Sequence, residues 1–277
     1  MSFVYIHHLY YNKILKEVIY DFYLFYDEIL YNKNMNKYFI GLIDTLKQID
    51  KTQNKIMNKA AKVLAATVLQ DGLIFTLGNG HSHSAALEGF HRSGSLACIS
   101  AILDDSFNFR PSAHKATDLE RKEGYILPIL AKHKMCAKDT IIIISNSGRN
   151  AAGIDAAIYA KSKGLNVIVI TAVKAHKETK SRHTSGKMLR DFADVLIDNC
   201  CNKQETVLKL NGKSAGPVSS LVSGAIMNNI LFRAAEIIEK ECPGFPLPFY
   251  KSSNDEGGDE NNLQVAKKYK GRILFLD

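Results

Sequence analysis

The chain has 277 residues, 46% of them hydrophobic, which suits one α/β domain of generous size with a full core. Its formal charge of +8 comes from scattered Lys and Arg, with no basic run interleaved with aromatics, so nucleic acid is not the expected partner. The five cysteines (Cys98, Cys136, Cys200, Cys201, Cys242) form no C-x-x-C pair and no signal peptide accompanies them, which predicts reduced thiols in a cytoplasmic protein. Cys200-Cys201 reads as incidental at a strand end rather than as a redox or metal pair.

Residues 1–34 differ from the rest. Tyr5, Tyr10, Tyr11, Tyr20, Phe22, Tyr23, Phe25, Tyr26 and Tyr31 crowd a stretch interrupted by Lys16, Glu17, Asp21, Asp27 and Glu28. No uncharged span reaches the ~20 residues of a transmembrane helix, so no membrane is expected as partner. The stretch is too short and too aromatic for a DNA-binding helix-turn-helix. It is expected to be an aromatic N-terminal extension, either upstream of a true start at Met35 or a helical appendage packing on a partner. Residues 35–277 then form one domain.

From Tyr38 to Leu69, apolar residues recur at helical spacing (Ile40, Leu42, Ile43, Leu46, Ile49, then Ile56, Ala60, Val63, Leu64, Val68), predicting long helices. Gly72 to Leu77 reads as a buried strand. Gly78-Asn79-Gly80-His81-Ser82-His83-Ser84 follows as a Gly-rich turn, and Ala85 to Arg92 as a helix. His81 and His83 are imidazoles within this turn, able to donate to a bound anion. A metal would need a third ligand that local spacing does not signal, so no metal and no cofactor is expected. Glu88 lies about two turns past Gly80; on a solvated face it would pair with Arg92 at i, i+4, worth only about 0.3 kcal/mol.

Leu96 to Leu103 is expected to be the second strand and Asp104 to Thr117 a polar loop. Glu120-Arg121-Lys122-Glu123 has the pattern of a charged helix face. Ile141-Ile142-Ile143-Ile144 is a run of β-branched residues that changes within one step to Ser145-Asn146-Ser147-Gly148-Arg149-Asn150, the profile of a buried strand ending in an anion-binding turn. Ala151 to Lys163 carries a helical pattern, so this turn sits at a helix N-terminus, where free N–H groups and the dipole favour a phosphate and the Ser145 and Ser147 hydroxyls add donors. The same residues also suit capping without any ligand. Gly164 ends that helix, Val167 to Thr171 is the next strand, Arg182 to Lys187 a polar loop able to close over a ligand, although an exposed loop of this composition needs no function, and Ala193 to Asp198 another strand. Gly216-Pro217-Val218-Ser219-Ser220 opens a long apolar helix from Leu221 to Ile238. Pro243, Pro246 and Pro248 predict an extended tail, and Arg272 to Leu276 a short edge strand.

Two strand-turn-helix units can point both polar turns at the carboxyl edge of one parallel sheet, where ligands of open α/β folds bind. Neither turn is a dinucleotide fingerprint or a P-loop, which favours a small phosphorylated ligand over a nucleotide.

Gly78-Asn79-Gly80-His81-Ser82 and Ser145-Asn146-Ser147-Gly148-Arg149-Asn150 resemble the two phosphate-contacting loops of the sugar isomerase (SIS) domain. The strings Leu119 to Tyr125, Ser181 to Lys187, Gly216 to Ser220 and Asn254 to Asn262 are similar to one uncharacterised subgroup of phosphosugar-binding SIS proteins, in the same order. The resemblance implies a three-layer α-β-α sandwich with a mostly parallel central sheet of flavodoxin-like kind, preceded by a helical arm through which SIS proteins dimerise, and followed by a tail that folds over the sugar. It implies a homodimer or higher homo-oligomer. It places Gly78, Asn79, Gly80, Ser82, Ser145, Asn146, Ser147, Gly148, Arg149, Asn150, Ser219 and Ser220 at a phosphorylated sugar. It also makes Glu88 the general base of an aldose–ketose isomerisation and His81 or His83 the ring-opening group. Two alternatives stand beside this: a non-catalytic phosphosugar sensor, and a lyase of the etherase type, whose later helix carboxylate is replaced here by His91 and Arg92. The synthase branch carries a lysine where this chain has Leu221.

Overall fold

The computed structural model describes residues 36–110 and 112–276. The expected extension 1–34 lies outside them. The described residues divide between Asp44 and Thr45. The boundary falls inside α1 (Lys37–Leu69), one continuous helix where long helices were expected.

After α1 come β1 (Ile74–Gly78), α2 (Ser82–Leu87), β2 (Ile99–Ala101), α3 (Ala113–Arg121), the single turn α4 (Leu127–Leu130), β3 (Thr140–Ile144), α5 (Ala151–Ser162), β4 (Asn166–Thr171) and β5 (Val195–Asp198). An antiparallel hairpin of β6 (Thr206–Leu210) and β7 (Lys213–Pro217) leads into α6 (Ser219–Glu241), and α7 (Gly258–Lys267) lies in the tail. The five sheet strands are all parallel in the order β2-β1-β3-β4-β5. β1 and β3 are buried along their whole length and β4 in all but its first residue, as strands covered by helices on both faces must be. This is the expected three-layer α-β-α sandwich. On one face α6 packs against α2 and holds α1 through Arg233, whose Nη1 donates to the Asn54 and Asn58 side chains. On the other, α5 packs against α3 and α4.

α6 buries Val222, Ile226, Ile230, Ala234 and Ile238 with Met227, Leu231 and Ala235, two rows at i, i+4 that form one stripe. Its 23 residues are long and apolar enough to cross a membrane by length and composition, and 56% of that window is buried within the protein, which makes it a core helix. Gly164 follows α5 with φ +79, the left-handed residue that ends a helix.

Several boundaries differ from the sequence expectation. The Leu96–Leu103 strand is cut to Ile99–Ala101, because residues 94–97 pair instead with the tail: Ala97 N donates to Pro248 O and Tyr250 N to Ser95 O, with a bridge between Leu96 and Phe249. The Asp104–Thr117 loop contains a short 3₁₀ turn (Asp105–Phe107) and the start of α3, capped by Ser112. Arg272 to Leu276 forms turns rather than an edge strand. Asp71, in the turn before β1, accepts from Lys268 at 3.0 Å and Arg272 at 3.0 Å and fixes that segment.

Candidate functional site

β1 and β3 lie side by side in register, with Gly78 opposite Ile144, so the Gly78–Ser82 and Ser145–Asn150 turns leave the sheet at adjoining points of its carboxyl edge. The strand order reverses there, since β1 leads outward to β2 while β3 leads to β4 and β5. Such a switch point opens a crevice between neighbouring turns.

Both turns are built for close approach of the backbone. A Cβ on Gly78 would lie 2.1 Å from the Ser82 carbonyl oxygen, so only glycine lets the chain reverse into α2. Gly148 has φ +59, and a Cβ there would stand 3.1 Å from Thr171 Oγ1. The Ser145 hydroxyl accepts from Gly148 N at 3.2 Å and so holds the second turn rather than standing free. Asn146 is 7% exposed and faces inward: its Oδ1 accepts from Asn199 Nδ2 at 2.9 Å, and its backbone oxygen accepts from Thr171 Oγ1 and Ala172 N. Asn150 is the N-cap of α5, yet its side chain makes no capping bond; its Oδ1 accepts from Arg182 Nη1 at 2.9 Å.

What these turns leave unsatisfied is informative. Asn79 Oδ1, Asn146 Nδ2 and Arg149 Nε are buried and have no hydrogen-bond partner among the described residues. Buried orphans are rare in folded proteins, and each is completed by a water, an ion or a ligand. The half-buried Ser82 and Ser147 hydroxyls likewise make no hydrogen bond among the described residues, and neither does that of Ser220. Ser219 differs, because its hydroxyl donates to Glu205.

The three residues considered for catalysis go to different places. Glu88 ends α2 and lines a cavity of about 380 Å³ with Ser84, Ser220, Gly224 and Asn228. It pairs with Arg92 Nη1 at 2.8 Å and accepts from Asn228 Nδ2 at 3.3 Å, so the i, i+4 pairing is present together with the cavity position. His81 is exposed at the turn, its ring 5.2 Å from that of Phe109. His83 turns into a separate cavity of about 580 Å³ with Asp104, Asp105, Lys132 and His133, and burial pushes its imidazole below the ordinary value while a hydrogen bond to the Gly78 backbone counteracts. No group of three or more His, Cys, Asp or Glu side chains among the described residues is arranged to hold a metal ion. Burial pushes the Cys98 and Cys201 thiols up to about 12, which makes them poor nucleophiles.

Other residues reach the site that the sequence did not single out. Glu120 is turned inward at the end of α3; burial pushes its carboxyl up, and a hydrogen bond with Asn150 and the charges of Arg121 and Arg182 oppose this. Its run of four charges has the pattern of a solvated face, and only the resemblance of Leu119 to Tyr125 set it apart.

A family model described as SIS domain matches residues 37–172. A UPF0309 protein of Thermoanaerobacter pseudethanolicus is 37% identical over 246 residues, covering 87% of this chain and 99% of that relative. One of Listeria innocua is 38% identical over 244 residues, covering 87% and 98%. This chain belongs to the UPF0309 family and carries a SIS domain. Solved structures similar to it include the phosphoheptose isomerase GmhA from Neisseria gonorrhoeae, with TM-score 0.47 and 18% identity over 72% of this chain and 94% of that one. Another is the Vibrio vulnificus NanR protein complexed with ManNAc-6P, with TM-score 0.46 and 14% identity over 84% and 67%. The SIS match ends at the close of β4, so the Gly78–Ser82 and Ser145–Asn150 turns fall inside it, while Arg182, Glu205, Ser219 and Ser220 belong to the part of this UPF0309 chain beyond it.

Proposed function

We propose that this SIS-domain protein binds a phosphorylated sugar in the crevice between the β1 and β3 turns and isomerises it between aldose and ketose. The observation that carries the reading is the concentration of unsatisfied groups there: Asn79 Oδ1, Asn146 Nδ2 and Arg149 Nε, buried and without partners among the described residues, beside the unbonded Ser82 and Ser147 hydroxyls. The donors among them, Asn146 Nδ2, Arg149 Nε and the two serine hydroxyls, suit a phosphate together with the first-turn amides of α5, and the acceptor Asn79 Oδ1 suits a sugar hydroxyl. The backbone of Gly78, Gly80 and Gly148 lets the ligand come close. Ser145 shapes the turn, Asn150 presents its amide at the rim, Ser220 reaches the ligand from the start of α6, and Ser219 is held beside it by Glu205.

In the chemical step, Glu88 takes the C2 proton to give the enediolate, a proton passes from the C2 oxygen to the C1 oxygen, and Glu88 returns its proton to C1 as the C2 carbonyl forms, so one proton moves from C2 to C1 and one from O2 to O1. His81, exposed at the turn, opens the sugar ring, because His83 is committed to the cavity of Asp104 and Asp105. The free thiols fit a cytoplasmic protein.

A sensor without chemistry is the second reading, favoured by one observation: Glu88 is already engaged by Arg92 and Asn228. Proton NMR in deuterated buffer with hexose, hexosamine, N-acetylhexosamine and heptose phosphates separates the two. Loss of the C2 proton signal of one sugar, abolished in Glu88→Gln and retained in Glu120→Gln, is the expected result. Line broadening without exchange across the panel means a sensor, and exchange lost only in Glu120→Gln moves the base to that residue.

A further inference from the structure

The loop 181–187 is exposed at most positions, yet it is fastened along its length. Ser181 Oγ donates to Lys187 O at 2.7 Å and accepts from His183 N at 3.0 Å, which closes the loop on itself. Its outer half is bolted to the segment just after α3: Thr184 N and Oγ1 each donate to a different oxygen of the Glu123 carboxylate, both at 2.7 Å. Its inner half is bolted to α5 through His183, whose Nε2 lies 3.1 Å from Asp155 Oδ1 and whose Nδ1 lies 2.8 Å from Ser185 Oγ. Asp155, 8% exposed, also accepts from Gly124 N at 2.8 Å, so one buried carboxylate ties α5, the loop and the segment after α3 together.

The clamp fixes one residue at the crevice. Arg182 N donates to Arg149 O at 2.9 Å and Arg182 Nη1 to Asn150 Oδ1 at 2.9 Å, so the guanidinium is carried over the Ser145–Asn150 turn, and among the described residues the rest of its N–H fork is unused. The arginine ion pairs among the described residues belong to Arg92, Arg110 and Arg272; Arg121, Arg149 and Arg182 have none. These three cations are near enough to act on one another: burial first, then Arg121 and Arg149, push the Arg182 guanidinium below its ordinary value, with Glu120 opposing. Glu120 answers only part of this positive charge and forms an ion pair with none of the three arginines among the described residues, and an anion of more than one charge relieves the rest.

We propose that Arg182 is a ligand contact of this site, closing on the phosphate dianion together with Arg149, and that Glu123, Asp155 and His183 are positioning residues that hold its loop there. The assignment rests on the phosphosugar reading above. It names a group beyond the SIS match and explains why the loop is held rigid, since a planar fork at a fixed angle binds two phosphate oxygens at once, which a freely moving arginine does with less gain.

Isothermal titration of the full chain with inorganic phosphate and with fructose 6-phosphate, at two salt concentrations, tests it. Arg182→Gln weakens binding by roughly 10- to 100-fold, the range of a charged hydrogen bond, and makes the affinity less salt-dependent, with the melting temperature unchanged. Arg182→Lys restores part of the affinity, since it returns the charge without the fork. Glu123→Gln shows a smaller loss in the same direction. Unaltered affinity and salt dependence in Arg182→Gln removes the arginine from the site and leaves the phosphosugar reading standing. Unaltered affinity in Glu123→Gln reduces the clamp to a structural tie. Failure of the wild-type chain to bind inorganic phosphate refutes the phosphosugar reading itself.

Discussion

His133 is 4% exposed, meets Phe75 edge-on with ring centroids 5.8 Å apart, and has an Nδ1 without a hydrogen-bond partner among the described residues. Burial pushes its imidazole from 6.5 down to about 4, with Lys132 adding to the effect. Between those values the unfolded chain binds a proton that the folded one refuses, so the stabilising contribution of the neutral ring is complete above about pH 6.5 and is lost as pH falls toward 4. At about 1.4 kcal/mol per unit, the loss is on the order of 3 kcal/mol. Urea unfolding at pH 7.5 and 4.5 is expected to show that drop in the wild type and a clearly smaller one in His133→Gln; equal drops would mean that other groups govern acid stability. Nothing in the sequence marked this histidine, because its neighbours Lys132 and Lys134 have the pattern of a surface stretch.

The reversal from β1 into α2 depends on Gly78. A Cβ at that position would overlap the Ser82 carbonyl oxygen at 2.1 Å, and the obstacle is backbone that cannot swing aside like a side chain. Gly78→Ala is therefore expected to cost at least about 3 kcal/mol and to shift the turn off the ligand, seen as a lower melting temperature together with lost phosphate binding. An unchanged melting temperature would show that the turn relaxes without loss. This turn was legible in the sequence, since two glycines after a buried apolar run admit few other geometries. The end of α3 was not. Four consecutive charges at Glu120–Glu123 carry one pattern in sequence and three fates in the fold: Glu120 is half-buried and hydrogen-bonded to Asn150, Arg121 has no ion-pair partner among the described residues, and Glu123 receives Thr184.

Across the molecule, α6 is buried along one stripe, while Leu221 and Phe232 remain 52% and 61% exposed. Leu221 lines the same cavity as Glu88, and Phe232 a neighbouring one of about 230 Å³ with Leu96 and Phe249. Covering these side chains with a second copy would remove apolar surface from water and close the Glu88 cavity. Light scattering is expected to give a dimer or larger assembly, and Leu221→Glu with Phe232→Glu to lower its mass to the monomer without unfolding it. A monomeric wild type that binds phosphate would show that the site is complete in one chain.

The sequence by itself determined the layers and the two turns. Runs of β-branched residues flanked by glycines and hydroxyls specify buried strands with polar ends through local preferences and burial alone, and these act over a few residues. The tertiary structure decided the rest. Which strands adjoin, that Glu88 meets Asn228 from 140 residues away, that His83 leaves the crevice, and that Arg182 arrives over Asn150 all depend on long-range packing, whose partners leave no periodic trace in the chain. A charged side chain looks alike in sequence whether it ends in water or against a buried carboxylate, because only the fold sets its dielectric surroundings.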